Sequence, residues 1–234
     1  MKIDYKIIGR RTLFLSWPSE INTLINDQII VAEQIIRTNL NFLLEDTVIS
    51  YYDLTLYFGE DVDFKEIIAS IEECLVGIKV QEHSNKKIWK IPVCYDLEFG
   101  WDLEALALQK KCTIEELIAY HTSPLYRLYF MGFLPGFMYL GGLDSRLITP
   151  RKTSPRIRVD KGSVAIGGNQ TGIYPQNSPG GWQIIGKTPI DLFNPNDNPP
   201  TPFQPGDALK FYAITREEFE SIRLNKSFNL LLHA

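Results

Sequence analysis

Residues that build disulfide or metal frameworks are scarce in this chain of 234 residues. Its three cysteines, Cys74, Cys94 and Cys112, include no CxxC pair, which argues against a disulfide framework and against a structural zinc site. The three histidines are far apart in sequence and form neither an HxH nor an HExxH motif, so no metal site is predicted. We therefore expect each cysteine to be a free thiol.

Signals for export, for membrane insertion and for nucleic-acid binding are also missing. No apolar run approaches the ~20 residues that span a bilayer. The first eleven residues lack the apolar stretch of a signal peptide, because Asp4, Lys6 and Gly9 interrupt it. A net charge of -4 gives no overall field that would hold nucleic acid or an anionic membrane. These absences predict a cytoplasmic globular protein with no nucleic-acid partner and no membrane partner.

The first part of the chain, residues 1–94, alternates segments typical of strands and of helices. Ile21–Leu40 carries apolar residues at helical spacing, and Phe64–Leu75 fits a second helix with Asp63 as its N-cap. TLFLSW, VISYYDLTLYF and KIWKIPVCY are rich in β-branched and aromatic residues, which favours strands.

The order of these segments is βαββαβ or close to it. This order predicts a ferredoxin-like α+β domain over residues 1–94. Its first strand is expected at Tyr5–Ile8, at Leu13–Trp17 or at both.

The rest of the chain, residues 95–234, has a different texture. Gly132–Asp207 holds 12 of the 16 glycines and 11 of the 14 prolines, a density that excludes long helices. Short β-like runs lie between these residues, and short helices are predicted at Asp102–Lys110, Thr113–His121 and Glu217–Leu224. Many short strands joined by turns predict an all-β barrel domain with short helices.

The run from Gly181 to Thr188, GWQIIGKT, fits the phosphate-loop expression GxxxxGK[ST]. That motif needs a helix after it, so that backbone amides and the helix N-terminus face the phosphates. Here Pro189 follows at once, and the next residues cannot sustain a helix. We therefore predict a buried strand and a turn at this run.

Positive charge is concentrated in one segment of this otherwise acidic protein. Residues 146–161 carry six basic side chains against the single acid Asp160, and Gly132–Asp207 contains no glutamate. The segment is either a solvated basic face or a site at which one or two arginines hold an anionic small molecule. Arg151 and Arg156 are the preferred candidates, because a proline precedes each of them and restricts its backbone.

Two loops, GFLPGFMYLGG (132–142) and GIYPQNSPGGW (172–182), place aromatic residues among glycines and prolines. Such loops are either structural corners or the walls of a ligand pocket. The neutral polar groups available beside them are Gln170, Tyr174 and Ser178.

His121 ends the Thr113–His121 helix. A histidine there is often only a favourable partner of the helix dipole, and it can also act as a general acid or base.

These residues also carry a family resemblance. From Val93 to Asp207 the sequence resembles the family of the 5-oxoprolinase B subunit, which also includes a sporulation-kinase inhibitor and allophanate hydrolase subunit 1. The similarity is carried by GFLPGFMYLGGL, TPRKTSPRIRV, GSVAIGGNQTGIYPQNSPGGWQIIGKTP and the closing PGD. VCYDLEFGWDLEALA and IEELIAYHTSPLYRLYFMGF fit the same pattern.

The resemblance implies a ferredoxin-like domain followed by a cyclophilin-like barrel. It implies a subunit of a cytoplasmic complex that opens 5-oxo-L-proline to L-glutamate with hydrolysis of ATP, not active alone. The implied partners are a second cyclophilin-like subunit and a third subunit of another fold. ATP, with magnesium, is expected at a site shared between subunits.

With this function in view, we expect Arg151, Arg156, Tyr174 and Ser178 to bind substrate and His121 and Gln170 to act in catalysis. Two other functions remain open: a regulator that binds and inhibits a sensor histidine kinase, and a subunit of urea or allophanate metabolism.

Overall fold

The computed structural model of the chain describes residues 3–77 and 87–225. The chain divides into two compact units, Met1–Asn85 and Lys86–Ala234. Within the described ranges, none of the helices combines the length and the apolarity that a membrane crossing requires.

The first unit is a four-stranded antiparallel sheet with two helices. The elements in chain order are β1 (Asp4–Ile8), β2 (Thr12–Ser16), α1 (Thr23–Leu40), β3 (Leu44–Ile49), β4 (Asp53–Phe58) and α2 (Phe64–Leu75). The sheet order is β1-β2-β4-β3.

Alternation along the strands gives this sheet one buried face. Leu13 and Leu15 on β2 are fully buried, and their neighbours along the strand are less so. They share one core with apolar residues of the two helices, among them Ile29 and Ile71. The Asp63 side chain accepts a hydrogen bond from the Lys65 N–H at 2.9 Å, which confirms the predicted N-cap.

The ferredoxin-like prediction for this unit is not confirmed. The element order is ββαββα, because both Tyr5–Ile8 and Leu13–Trp17 contribute strands and none follows α2 before residue 78. β4 lies between β2 and β3, which α1 connects. The edge beside β2 is occupied by β1, where a βαββαβ chain would place its last strand.

The second unit is built on a closed seven-stranded barrel. Its elements in chain order are β5 (Ile88–Cys94), α3 (Leu103–Lys110), α4 (Ile114–Thr122), β6 (Tyr126–Met131), β7 (Met138–Gly141), β8 (Arg156–Val159), β9 (Ser163–Gly167), β10 (Gln170–Ile173), β11 (Ser178–Gly180), β12 (Gln183–Lys187), β13 (Ala208–Ile214) and α5 (Arg216–Leu224). The barrel order is β10-β7-β6-β13-β5-β12-β9, and β11 and β8 form a separate ladder.

The predicted barrel with short helices is confirmed. Its interior is filled by one apolar cluster that includes Ile91, Val164 and Phe211, with Leu103 and Leu117 added by α3 and α4. Capping boxes begin α4 and α5, as the Thr–x–x–Glu spacing predicts.

The sequence places the domain boundary after residue 94, and the structure places it between residues 85 and 86. The difference is β5, the segment KIWKIPVCY, which the sequence pattern places in the first domain. β5 pairs in parallel with β13 over seven residue pairs and also touches β12. Ile91 and Val93 are fully buried in the barrel core.

This boundary predicts how two truncated chains behave. A chain of residues 86–234 keeps every barrel strand, so we expect it to unfold cooperatively in urea with native near-ultraviolet circular dichroism. A chain of residues 95–234 lacks β5, and β12 and β13 lose the strand that joins them. We expect it to have no cooperative transition. Equal cooperativity of the two chains would contradict the assignment of β5 to the barrel.

Candidate functional site

The outer face of the barrel carries the candidate site. Along β9, Val164 and Ile166 point into the barrel core, so Ala165 and Gly167 face outward. These outward positions are small, and the Trp182 indole covers one of them. A Cβ atom on Gly167 would lie 2.5 Å from the indole Cδ2. The wall therefore accommodates a large ring against its backbone.

Aromatic rings form a platform on this face. The Phe137 ring lies edge-on to both Trp182 and Tyr174, at centroid distances of 5.4 and 5.3 Å. Tyr139 is 5.9 Å from Trp182. Phe133 lies at 5.6 Å from Phe137, and this exposed residue has a left-handed φ of 67°, rare for an aromatic residue.

A cleft of about 330 Å³ opens on this platform. Its volume is within the ordinary range for small-molecule sites. The lining comes from both loops singled out in the sequence and from the basic segment between them. The lining residues are Phe133, Phe137, Tyr139, Arg151, Lys152, Pro155, Tyr174, Pro179, Gly180, Gly181 and Trp182.

Backbone hydrogen bonds fasten the basic segment to the platform. Thr149 exchanges two of them with Gly168, at 3.0 and 2.7 Å. The Lys152 N–H donates to the Gly181 carbonyl at 2.6 Å, and the Gln183 side chain donates to the Pro150 carbonyl at 3.1 Å. The backbone that carries Arg151 and Lys152 is therefore held at the cleft.

The cleft carries positive charge. The Arg151 guanidinium lies 5.3 Å from the centre of the Trp182 ring, a cation–π arrangement. Lys152 and Arg156 each place a nitrogen 2.7 Å from Oδ1 of Asp102. Three cations against one carboxylate leave a net charge of +2 in this group, which suits an anionic ligand.

Hydroxyl groups in the cleft wall remain protonated at neutral pH. Burial raises the pKa of Tyr174 and of Tyr139 above the ordinary value for tyrosine. Gly180 packs against the Tyr174 hydroxyl so closely that a Cβ atom there would lie 2.3 Å from it. Both phenol groups in the wall are therefore neutral.

Of the six predicted site residues, Arg151 and Tyr174 line the cleft directly. Arg156 lies against Asp102 and the Trp101 ring and is not part of the lining. Ser178 immediately precedes the lining segment Pro179–Gly181, and its hydroxyl donates to the Pro179 carbonyl at 3.1 Å.

Gln170 lies on the outer face of β10, two residues before Gly172, whose Cα faces Trp182 and Phe137. Its side chain is buried, and among the described residues its Oε1 has no hydrogen-bond partner. A buried acceptor without a partner is costly, so this atom is a candidate to accept from a ligand.

His121 lies elsewhere, inside the barrel. Its ring is fully buried and stacked on Phe211 at a centroid distance of 4.7 Å. Nδ1 is 2.7 Å from the Tyr95 hydroxyl, and Nε2 is 2.9 Å from Oγ1 of Thr171. The cleft lining does not include His121. The other histidines, His83 and His233, lie outside the described residues.

The hydrogen bonds around His121 specify its tautomer. The Thr171 hydroxyl donates to the Ala165 carbonyl at 2.9 Å, so its oxygen must accept from Nε2–H. Nδ1 is then the acceptor for the Tyr95 hydroxyl, whose pKa is raised well above the ordinary value by burial. Burial lowers the pKa of His121 to about 3. The ring is a neutral, fully partnered member of the core.

The GWQIIGKT run is a strand, as predicted. Gln183–Lys187 forms β12, where Ile184 and Ile185 are fully buried. The described residues between it and β13 contain no helix. The strand pairs with β9 in the barrel ladder, and the Ile184 N–H donates to Asp102, so the run does not form a phosphate cradle.

Sequence reasoning missed the parts played by Lys152, Trp182 and Asp102. Lys152 and Trp182 lie in the basic segment and in the second aromatic loop, which the sequence singles out. Nothing in the sequence ranks them above the other residues of these segments. For Asp102 the sequence predicts only the start of a helix. Its partners Lys152 and Arg156 lie about fifty residues away in sequence. Only the folded barrel brings these three charges together.

Comparisons with known proteins agree with this architecture. The family model for the carboxyltransferase domain, subdomain C and D, matches residues 3–203. The 5-oxoprolinase B subunit of Bacillus subtilis is 36% identical, with 95% of this chain and 98% of that protein covered. The protein of the same name from Haemophilus influenzae is 45% identical over 71% of this chain and 78% of its own length.

Similarity to longer proteins is also found. The crystal structure of TTHA0988 matches with a TM-score of 0.78 and 31% identity, covering 87% of this chain, and this chain spans 40% of that one. The urea amidolyase of Saccharomyces cerevisiae is 31% identical over 42% of this chain and 6% of that protein.

The state of His121 predicts an acid-sensitive stability. The unfolded histidine binds a proton below its ordinary pKa of 6.5, and the folded one does so only near 3. Between these values the unfolded state therefore gains protons, and the free energy of unfolding falls by about 1.4 kcal/mol per pH unit as the pH drops. Urea unfolding between pH 6 and 5 measures this slope, above the range in which most carboxylates titrate.

The matched variant is His121→Asn, which keeps a polar group and removes the titration. We expect it to be less stable than the native chain at pH 7 and to lose most of the slope between pH 6 and 5. An unchanged slope in the variant would show that another group controls acid sensitivity.

Proposed function

This chain belongs to the carboxyltransferase-domain family, subdomain C and D, which includes the 5-oxoprolinase B subunit, and we propose that it is itself a subunit of an ATP-dependent 5-oxoprolinase. In the proposed reaction the complex opens 5-oxo-L-proline to L-glutamate. One observation carries this proposal: the similarity to the protein from Bacillus subtilis extends over nearly the whole of both chains.

The chemistry of the cleft supports this substrate class. 5-Oxoproline is a five-membered lactam with a carboxylate. Its ring fits against the aromatic platform that includes Trp182 and Phe137, and its carboxylate fits the donors of Arg151 and Lys152. Gln170 is not part of the cleft lining, and its Oε1, which lacks a partner among the described residues, is a further candidate acceptor for the ring N–H. We therefore assign binding and orientation of the lactam to this chain.

The residues of this chain do not fit the phosphates of a nucleotide at the one run that resembles a phosphate loop. Within Gly181–Thr188, residues Gln183–Lys187 form barrel strand β12, which pairs with β9. Within residues 3–77 and 87–225, no group of three or more acidic, histidine or cysteine side chains is placed to hold a metal ion. We propose that nucleotide binding depends on partner subunits.

Further chains are part of the proposal. Relatives from two bacteria are named as one lettered component of an enzyme, which implies a complex of several chains. A similar architecture also occurs joined to further sequence in the longer chain of TTHA0988, of which this chain spans 40%. We propose a second cyclophilin-like subunit and a third subunit of another fold as the partners.

The test is reconstitution followed by one substitution. We expect the complex to release ADP in a 5-oxoproline-dependent manner, and the isolated chain to be inactive. Arg151→Ala removes a charge-assisted contact worth about 1.5–3 kcal/mol, so the KM for 5-oxoproline should rise roughly 10- to 100-fold. Steady-state ADP release measures both constants.

Arg158→Ala is the matched control. Arg158 is an exposed arginine of the same segment and pairs with Asp160 on the surface at 3.2 Å. Its removal should leave KM and kcat unchanged. An unchanged KM in Arg151→Ala would refute the assignment of the carboxylate to Arg151. A fully assembled complex that acts on urea or allophanate and not on 5-oxoproline would refute the function itself.

A further inference from the structure

Asp102 is a buried carboxylate whose contacts all reach away from its own helix. It occupies the N-cap position of α3 without a side-chain capping hydrogen bond. Its Oδ2 accepts from the Ile184 N–H at 2.7 Å, and its own N–H donates to the Ile184 carbonyl at 2.8 Å. Asp102 is therefore clamped to barrel strand β12, directly behind the cleft.

The other oxygen of Asp102 holds two cations. Lys152 Nζ and Arg156 Nη2 both lie 2.7 Å from Oδ1. Burial raises the pKa of Asp102, but the hydrogen bonds from Arg156, Lys152 and Ile184 outweigh it and leave the pKa below the ordinary value. The carboxylate is thus ionised and shared between two positive groups.

The two cations occupy different places. Lys152 lines the cleft, whereas Arg156 is outside the lining and lies against the Trp101 ring at 5.5 Å. Arg156 Nη1 is buried and has no hydrogen-bond partner among the described residues. Arg156 is therefore placed for its ion pair with Asp102, although this position leaves one of its nitrogens without a hydrogen bond.

A single ion pair would fix Lys152 and also cancel its charge. Arg156, as a second cation on the same carboxylate, gives the group of Asp102, Lys152 and Arg156 a net positive charge, while Lys152 stays fixed. We propose that Asp102 is a positioning residue, which fixes the Lys152 ammonium in the cleft wall, and that Arg156 compensates its charge so that the wall still attracts an anion. This inference rests on the proposed function for its kinetic test.

Two substitutions should affect different kinetic constants: Asp102→Asn should change kcat, and Arg156→Gln should change KM. Asp102→Asn keeps the shape of the side chain and its acceptor for the Ile184 N–H, but releases Lys152 and adds net positive charge. We expect kcat to fall about 10- to 100-fold, as for a misplaced binding group, with no increase in the KM for 5-oxoproline. Arg156→Gln leaves Lys152 and Asp102 as a neutral pair, so KM should rise with little change in kcat.

A second measurement does not depend on activity. Dilute acetic anhydride labels lysines according to their accessibility and protonation, and mass spectrometry of peptides reports each rate. Lys152 should be labelled several times faster in Asp102→Asn than in the native chain, and more slowly in Arg156→Gln. Lys161, an exposed lysine paired with Asp191, is the internal control.

These readouts separate the two proposals. Equal labelling of Lys152 in the native chain and in Asp102→Asn would overturn the positioning role, as would an unchanged kcat in an active complex. Altered labelling of all lysines in Asp102→Asn would indicate that this variant unfolds. The labelling of Lys152 in Arg156→Gln then decides: a rate equal to that of the native chain overturns the inference, and a slower rate supports it. An inactive but fully assembled native complex would refute the proposed function, while the labelling result would still stand.

Discussion

Side chains along β9 and β10 point alternately into the barrel and out of it, and the candidate site depends on this alternation. Thr171 points inward and binds His121, and the next residue, Gly172, lies under Phe137 and Trp182 on the outside. Two environments of different chemistry therefore lie one residue apart on the same strand. A register shift of one residue would bury the cleft floor and expose the core, so the barrel ladder controls both together.

The second constraint is the fastening of the basic segment by its backbone. Thr149, Pro150 and Lys152 all use main-chain groups to bind neighbouring loops, so the positions of the cations do not depend on ligand contacts. Such a site is organised before binding, which lowers the entropy lost when a ligand is held. Arg158, by contrast, is a surface arginine with 70% of its side chain exposed.

Local signals in the sequence predicted much of this fold. The helix Phe64–Leu75 and the capping boxes of Thr113 and Thr215 follow from short-range spacing, and the structure has them. The barrel followed from glycine and proline density. The pairing partner of one strand could not be predicted. KIWKIPVCY is a strand, but the sequence alone does not show that it pairs with β13, over a hundred residues later. Partners of Asp102 and of His121 also lie about fifty residues away in sequence. Short-range patterns therefore show neither the ion pairs of Asp102 nor the burial of His121 in the core.

The donors of the cleft are suited to holding an anion and orienting a ring. The Arg151 guanidinium presents a planar set of N–H donors, and burial raises the pKa of Tyr174, which keeps its hydroxyl protonated. Both groups are hydrogen-bond donors. His121, the residue best suited to proton transfer in general, is neutral and fully engaged inside the barrel. In the proposed complex, these donors assign recognition of the lactam to this chain.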